Sequence, residues 1–393
     1  MDDDNVEQVV EEVHEPVDPL LQLKQLAFDW ESGLAGDRDK IKQEIIEAVK
    51  SENREPYYSH LCEKLGWAKD EKLVAEMVKA NTEAMAKLEE KKKDAEDNLG
   101  ETEVHDCELE MVAHLHKIGD KDACVKKIDE MLEKVKGMGK QLDMIFQKIR
   151  LGLVFADRTL VKENIDKGNE ILKREGDWER RNRLKVYEGL HCIICRDFTS
   201  AAKLLLESVA TFSCNELMDF KTFIFYTVFV SIPTLSRVDL KSKVVENSEV
   251  LSVMPESPDV HNLLTSIYNC KYDKFFDALV VISERVQRNV WLESHTNYYF
   301  RELRILAFKQ FLASYRSVTL EKMAQQFSIS PELLDEQLCC FIAANRLNCK
   351  IDKVSGQVIT ARFDSKNNNY QMLLKNGDLL LNKLQKLARI VGT

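Results

Sequence analysis

TLEKMAQQFSISPELLDEQLCCFIAANRL, Thr319 to Leu347, holds two short amphipathic segments separated by the break SISP, the outline of a helix–turn–helix. Ser330 stands where an N-cap belongs, and Pro331 occupies the first helical position, where its missing N–H costs nothing. Downstream, LNCKIDKV and QVITARF alternate around Ser355-Gly356, which predicts a β-hairpin. A helix–turn–helix followed by a hairpin is a winged helix. Upstream, FRELRILAFKQFLASY (Phe300–Tyr315) supplies a strongly apolar helix. The shape raises the question of DNA binding, and charge answers it. From Pro331 to Leu347 the second helix carries Glu332, Asp335 and Glu336 against Arg346 alone. Over Thr319–Phe363, Lys322, Arg346, Lys350, Lys353 and Arg362 are matched by Glu321, Glu332, Asp335, Glu336 and Asp352. A DNA reader neutralises roughly 6–10 phosphates and sets the N-terminal end of this helix on base edges. Here that end is acidic, so no nucleic-acid partner is expected.

The rest of the chain is rich in helix formers. Its 393 residues include only 14 Gly and 7 Pro, with 44% hydrophobic and 31% charged residues. That length exceeds one compact core and suits several domains or an elongated stack of repeats. The net charge of −10 offers no global field for a polyphosphate. The most apolar run, FKTFIFYTVFVSIP (Phe220–Pro233), is too short for a membrane span and carries Lys221, so a buried helix is expected and no membrane contact. MDDDNVEQVVEEVHEP is acidic and has no signal-peptide pattern, which predicts a solvated arm on a protein of cytoplasm and nucleus. Ten cysteines in such a chain are expected to be reduced thiols, with Cys62, Cys192 and Cys339 among those packed as small hydrophobes.

After a turn expected at ENREPYY (Glu52–Tyr58), the stretch from Asp70 to Gly100 reads as one long helix. Leu73, Val74, Met77, Val78, Met85 and Leu88 mark its buried stripe, and Glu89–Asp97 a solvated end. From about Val104 the chain repeats weakly: IGDKDACVKKIDEML, FADRTLVKENIDKGNEIL, CRDFTSAAKLLLESV, LSRVDLKSKVVENSEVL and CKYDKFFDALVVISERV. Each unit turns at a corner aspartate, and Asp120, Asp157, Asp197, Asp239 and Asp273 are separated by 37, 40, 42 and 34 residues. That period, with helix–turn–helix units, predicts an α-solenoid of tetratricopeptide-like pairs whose corner Asp caps the following helix.

Catalytic chemistry finds no support in the motifs. His114-x-His116 does not belong to a complete zinc site, because the positions where ubiquitin-removing metalloproteases carry Ser and Asp hold Cys124 and Lys127, and a lysine is no carboxylate ligand. HCIIC (His191–Cys195) lies within a helical stretch rather than at the mouth of a helix after a strand. GMGK (Gly137–Lys140) lacks the phosphate-loop spacing. No enzyme, metal or cofactor is expected.

Protein contact is the remaining use. A wing exposes a strand edge that can pair with a neighbour's sheet. In the terminal NYQMLLKNGDLLLNKLQKLARIV, Leu373, Leu380, Leu384, Leu387 and Val391 recur at three- and four-residue steps, with Gly377 in one place. Burying five such side chains yields roughly 8–15 kcal/mol gross, against an association cost of ~4–15 kcal/mol. One helix alone is a marginal dimeriser and a good arm of a many-point assembly; alternatively it folds back on its own winged helix.

A helical-repeat solenoid leading into a winged helix and a terminal helix resembles the PCI-domain family, shared by the proteasome lid, the COP9 signalosome and translation initiation factor three. PYYSHLCEKLGW (Pro56–Trp67), DWERRNRLKVYEGLHCIICRDFTSAAKLLLES (Asp177–Ser208), FIAANRLNCKIDKVSGQV (Phe341–Val358) and KNGDLLLNKLQKL (Lys375–Leu387) are most similar to the proteasome-lid branch, with the signalosome branch next. The resemblance implies a non-catalytic scaffold of the 19S regulatory particle. Its partners would be other lid PCI subunits and the lid metalloprotease subunits, with the ATPase base as a further contact. It also implies that the wing strands Cys349–Val354 and Val358–Phe363 enter an inter-subunit sheet through Cys349, Lys350, Ile351, Val354, Val358 and Ile359. Leu373, Leu380, Leu384 and Leu387 would enter a helix bundle. The expected organisation is an acidic arm (1–19), an N-terminal helical region (20–103), tetratricopeptide-like repeats (104–299), a winged helix (300–364) and a C-terminal helix (365–393).

Overall fold

A computed structural model describes residues 17–34, 36–98, 100–135, 137–174, 177–360 and 365–391. The chain divides into two compact units, one of residues 1–264 and 278–299, the other of 265–277 and 300–393. Sixteen residues of the expected acidic arm lie outside the description. Asp18 and Pro19, placed in that arm by the sequence, begin the first helix instead: Asp18 caps Pro19–Ser32 by accepting from Leu20 N–H at 3.0 Å.

The first unit is a stack of helix pairs. Glu101–Ile118 pairs with Lys121–Lys134, Met138–Val154 with Arg158–Arg174, and Trp178–Ile194 with Phe198–Ser208. The corners share one construction. Gly119, Ala156 and Arg196 adopt left-handed φ of 81°, 58° and 66°. The next residue's N–H reaches back to the carbonyl of Leu115, Gly152 or Cys192, closing the preceding helix. That next residue is Asp120, Asp157 or Asp197, whose carboxylate accepts from Ala123, Leu160 or Ser200 N–H to open the following helix. Asp239 and Asp273 do not do this. Ser236 caps the short turn in which Asp239 sits, and Asp273 is the second residue of the helix Tyr272–Gln287. The fourth unit follows its corner with a single π-helical turn, Lys241–Val245, in place of a full second helix.

Tight contacts hold the pairs together. A Cβ on Gly152 would stand 2.7 Å from Val161 Cγ2, and one on Gly189 2.7 Å from Leu205 Cδ2, so a larger residue at either position would force its neighbour to shift. Phe220–Thr234 is buried from Phe223 through Ile232, as expected of a helix apolar on every face. Tyr299 stacks on Phe229 with ring centroids 3.6 Å apart and donates its hydroxyl to the Phe229 carbonyl at 2.8 Å.

Other local expectations change. The helix Glu55–Leu65 begins inside the stretch expected to be a turn, which shrinks to Glu52–Arg54. In the long helix Glu71–Asn98 only Met77 of the six stripe residues is fully buried and Val78 is exposed, because few helices pack on it. Of the cysteines, Cys62, Cys124, Cys214 and Cys349 are buried, but Cys192 is half-buried and Cys339 is exposed beside the equally exposed Cys340.

In the second unit, from residue 300 of the helix Thr296–Ala313 onward, the order is the rest of that helix, β1 (Ser317–Thr319), helices Leu320–Phe327 and Pro331–Ala343, β2 (Cys349–Asp352), β3 (Gln357–Thr360) and helix Ser365–Val391. Thr319 and Ser330 cap the two short helices, accepting from Lys322 and Leu333 N–H. Phe327 anchors the core, its ring within 6.1 Å of Tyr272, Phe276, Phe308 and Phe311. The sheet runs β1-β3-β2, antiparallel throughout, with Val318 opposite Val358 and Ile351 opposite Val358 on the other side. The architecture is an all-α solenoid of tetratricopeptide-like pairs followed by a winged helix and a C-terminal helix.

Candidate protein-interaction surface

The hairpin closes through its turn. Asp352 accepts from Val354 N–H at 3.0 Å and from the Ser355 hydroxyl at 2.7 Å, which holds its carboxyl below the usual range, and Gly356 takes φ 62°. The strands are shorter than expected. Val354 leaves β2 for the turn and is fully exposed, and residues 361–363 of the expected second strand lie outside the described residues.

The middle position of β3 leaves β1 and β2 as the two edges of the sheet. Thr360 N–H donates to the Arg316 carbonyl and Leu320 N–H to the Gly356 carbonyl, both at 2.9 Å. Val358 and Thr360 therefore turn their peptide groups toward β1, and Gln357 and Ile359 turn theirs toward β2. Alternation leaves the N–H and C=O groups of Cys349 and Ile351 on the outer edge of β2, with no further strand beyond it among the described residues. Val358 is wholly buried and belongs to the domain's own core, so of the wing residues expected to meet a partner it has the least to offer. Lys350 and the half-exposed Ile359 face each other on the outer surface of the sheet.

The C-terminal helix does not fold back. Tyr370, Met372, Leu373, Leu374, Leu379, Leu380, Leu381, Leu384, Leu387, Ile390 and Val391 are each 55% to 78% exposed. The sequence reading named the seam of Leu373, Leu380, Leu384, Leu387 and Val391. It missed the flanking Leu374 and Leu381 on one side and Met372, Leu379 and Ile390 on the other, which adjacency to the seam could have revealed. Together they cover well over half the circumference, wider than a two-stranded seam requires. A helix so apolar suits the interior of a bundle, with neighbours on more than one side.

The second helix of the wing domain, Pro331–Ala343, and the loop after it make ion pairs within the domain. Asp335 receives Lys353 from the hairpin turn at 3.2 Å, and Arg346 pairs with Glu302. Lys353 and Arg346 are thus paired within the domain.

His116, Cys192 and Cys195 take places in the packing and capping of the repeat stack. His116 Nε2 lies 2.6 Å from Asp18 Oδ2, within a buried ionic cluster. Arg150 bridges Asp18 (3.3 Å) and Glu216, while Arg183 (2.6 Å) and the Tyr187 hydroxyl (2.7 Å) complete the Glu216 carboxylate. Burial pushes both carboxyls up. His116 and Arg150 at Asp18, and Arg150, Arg183 and Tyr187 at Glu216, more than reverse it, so both titrate below their ordinary values. Cys195 caps the C-terminus of its helix, and burial pushes the Cys192 thiol to about 11, the opposite of a redox cysteine. No group of three or more His, Cys, Asp or Glu suited to a metal occurs among the described residues. No helix among them is long and apolar enough to cross a membrane.

Comparison with known proteins bears on each segment. Residues 70–243 match the family described as 26S proteasome subunit RPN7, residues 272–362 match the PCI domain, and residues 370–391 match the 26S proteasome regulatory subunit RPN7/PSMD6 C-terminal helix. The 26S proteasome non-ATPase regulatory subunit 6 homolog of Arabidopsis thaliana is 41% identical over 355 residues, covering 90% of this chain and 92% of its own. The 26S proteasome non-ATPase regulatory subunit 6 of Dictyostelium discoideum is 40% identical over 348 residues, covering 88% and 91%. COP9 signalosome complex subunit 1 of Arabidopsis thaliana is 23% identical over 198 residues, half of this chain and 45% of its own. By these matches along nearly its whole length, the chain belongs to the family of 26S proteasome non-ATPase regulatory subunit 6, within the PCI-domain proteins.

Proposed function

We propose that the chain is a non-catalytic scaffold of the proteasome regulatory-particle lid, supporting ATP-dependent degradation of ubiquitinated proteins in cytoplasm and nucleus. Its partners are other PCI subunits and the lid metalloprotease subunits, with the ATPase base as a further contact; no metal or cofactor takes part. The observation that carries this reading is the exposed apolar C-terminal helix. Eleven large apolar side chains in water are a standing cost that a partner bundle removes, at ~1.5–3 kcal/mol for each one fully buried.

The wing supplies the second contact. The β2 edge offers the peptide groups of Cys349 and Ile351 for strand pairing, and Lys350 and Ile359 flank it on the outer face. Leu373, Leu380, Leu384 and Leu387 form the centre of the helix contact. The signalosome alternative is supported by a weaker and shorter likeness. A nucleic-acid role is opposed by the acidic second helix and by the engagement of Lys353 and Arg346.

Affinity purification of the tagged full chain from cells, followed by mass identification of its companions, tests the reading. Recovery of proteasome lid subunits in fixed proportion is expected. Recovery of signalosome subunits alone, or of nucleic acid without lid subunits, would overturn it.

A further inference from the structure

The first unit contains a pocket of about 190 Å³ that the scaffold role leaves unused. Its polar lining comes from Lys24, Lys64, Asp157, Arg158, His191 and Ser294, and Trp291 stands on its apolar wall. The single carboxylate is committed, since Asp157 binds Lys121 at 2.8 Å, accepts from the Thr159 hydroxyl at 2.7 Å and caps the helix Arg158–Arg174. Lys24 and Arg158 have no carboxylate in ion-pair range among the described residues, and Lys64 is paired with Glu31 at 3.3 Å. The Lys24 ammonium donates to the Leu153 carbonyl and lies 4.3 Å from the Trp291 ring centre. An ammonium has three donors, so these contacts leave donor capacity unmet.

We propose that this pocket binds a phosphate group, held by the Lys24 ammonium and the Arg158 guanidinium with Lys64 at the rim. The volume lies below the ~300–1,000 Å³ typical of sites for whole small molecules, so the ligand is a phosphate ion or the phosphate end of a monoester, not a nucleotide. Several cations around one cavity favour a doubly charged anion over a carboxylate, and guanidinium suits phosphate oxygens geometrically.

Titration behaviour agrees with an absent counter-charge. Burial, with the charge of Lys64 adding to it, pushes Lys24 down to about 7. Nearby His60 and His191 are also lowered, chiefly by burial, with Lys64 acting on His60, and Lys162 and Arg158 on His191. A bound dianion draws a proton onto Lys24, so affinity for an anion of constant charge falls as pH rises through 7.

The test uses the full chain and the acylation rate of Lys24 by a hydroxysuccinimide ester, mapped by peptide mass against Lys309, which is exposed and does not line the pocket. Inorganic phosphate slows Lys24 labelling relative to sodium chloride of equal ionic strength and leaves Lys309 unaffected. Sulfate, whose charge is constant near neutrality, protects less as pH rises through 7. Arg158→Gln, an exposed position, keeps the helical signal and raises the half-protecting concentration roughly fivefold or more. Stronger protection by O-phosphoserine than by phosphate marks a phosphorylated side chain as the ligand, and the reverse marks the free ion. Equal labelling in phosphate and chloride, or protection unchanged by Arg158→Gln, overturns the proposal.

Discussion

His116 Nε2 stands 2.6 Å from Asp18 Oδ2, tying the cap of the first helix to the end of the helix Glu101–Ile118. The Asp18 N–H donates to the Glu216 carbonyl at 2.9 Å, so this contact and the Arg150–Glu216–Arg183 cluster form one buried polar assembly. It pins the N-terminal helix to the repeat stack.

The cluster predicts acid sensitivity. Asp18 and Glu216 have folded-state pKa values below their ordinary ones, so their contribution is complete above the ordinary carboxylate range of about 4 and disappears as pH falls through the depressed values. Glu216→Gln leaves Arg183 without its carboxylate partner in a largely buried site and is expected to destabilise by ~3 kcal/mol. Urea unfolding at neutral and acidic pH checks this: the variant and the parent chain should converge in stability as pH falls.

The corners predict a contrast between two aspartates of similar sequence context. Asp197 accepts from Ser200 N–H and opens a helix, so Asp197→Ala should cost about 1 kcal/mol. Asp273 lies one residue inside its helix and caps nothing, so Asp273→Ala should stay within ~0.5 kcal/mol. Chemical denaturation of the two variants measures the difference.

The sheet predicts a contrast between adjacent residues of β2. The Ile351 N–H points to the open edge, whereas the Lys350 N–H belongs to the ladder with Ile359. Ile351→Pro should therefore keep the isolated chain folded and weaken its incorporation into the proteasome, whereas Lys350→Pro should itself lower stability by about 1–2 kcal/mol. Unfolding curves and co-migration with the assembled particle, measured for both, separate the two roles.

Local rules made much of the fold legible. Ser330-Pro331 placed the second helix of the wing domain, and the corners at Asp120, Asp157 and Asp197 announced themselves by a capping residue at the repeat interval. Asp239 and Asp273 carried the same residue in the wrong position, because a cap must stand immediately before its helix and Ser236 and Lys271 stand there instead. β1 escaped notice since three residues, Ser317–Thr319, are too few to display alternation, and with β1 went the knowledge that β3 is central and β2 an edge. The Asp18–His116–Arg150–Glu216 cluster was invisible for a different reason: its members come from separate segments, and no local pattern links them. The apolar seam of the C-terminal helix was legible, but its solitude was not, because periodicity reports that a face is apolar and never what covers it.

The C-terminal helix offers the most direct test of the scaffold role. Leu384 is exposed in the isolated chain, so Leu384→Asp should change its stability by no more than ~0.5 kcal/mol. The same change places a carboxylate in the proposed bundle and should reduce the fraction of the chain co-migrating with the regulatory particle roughly tenfold or more on a native gel. A stable variant lost from the particle is the predicted result; undiminished co-migration of Leu384→Asp would contradict the account.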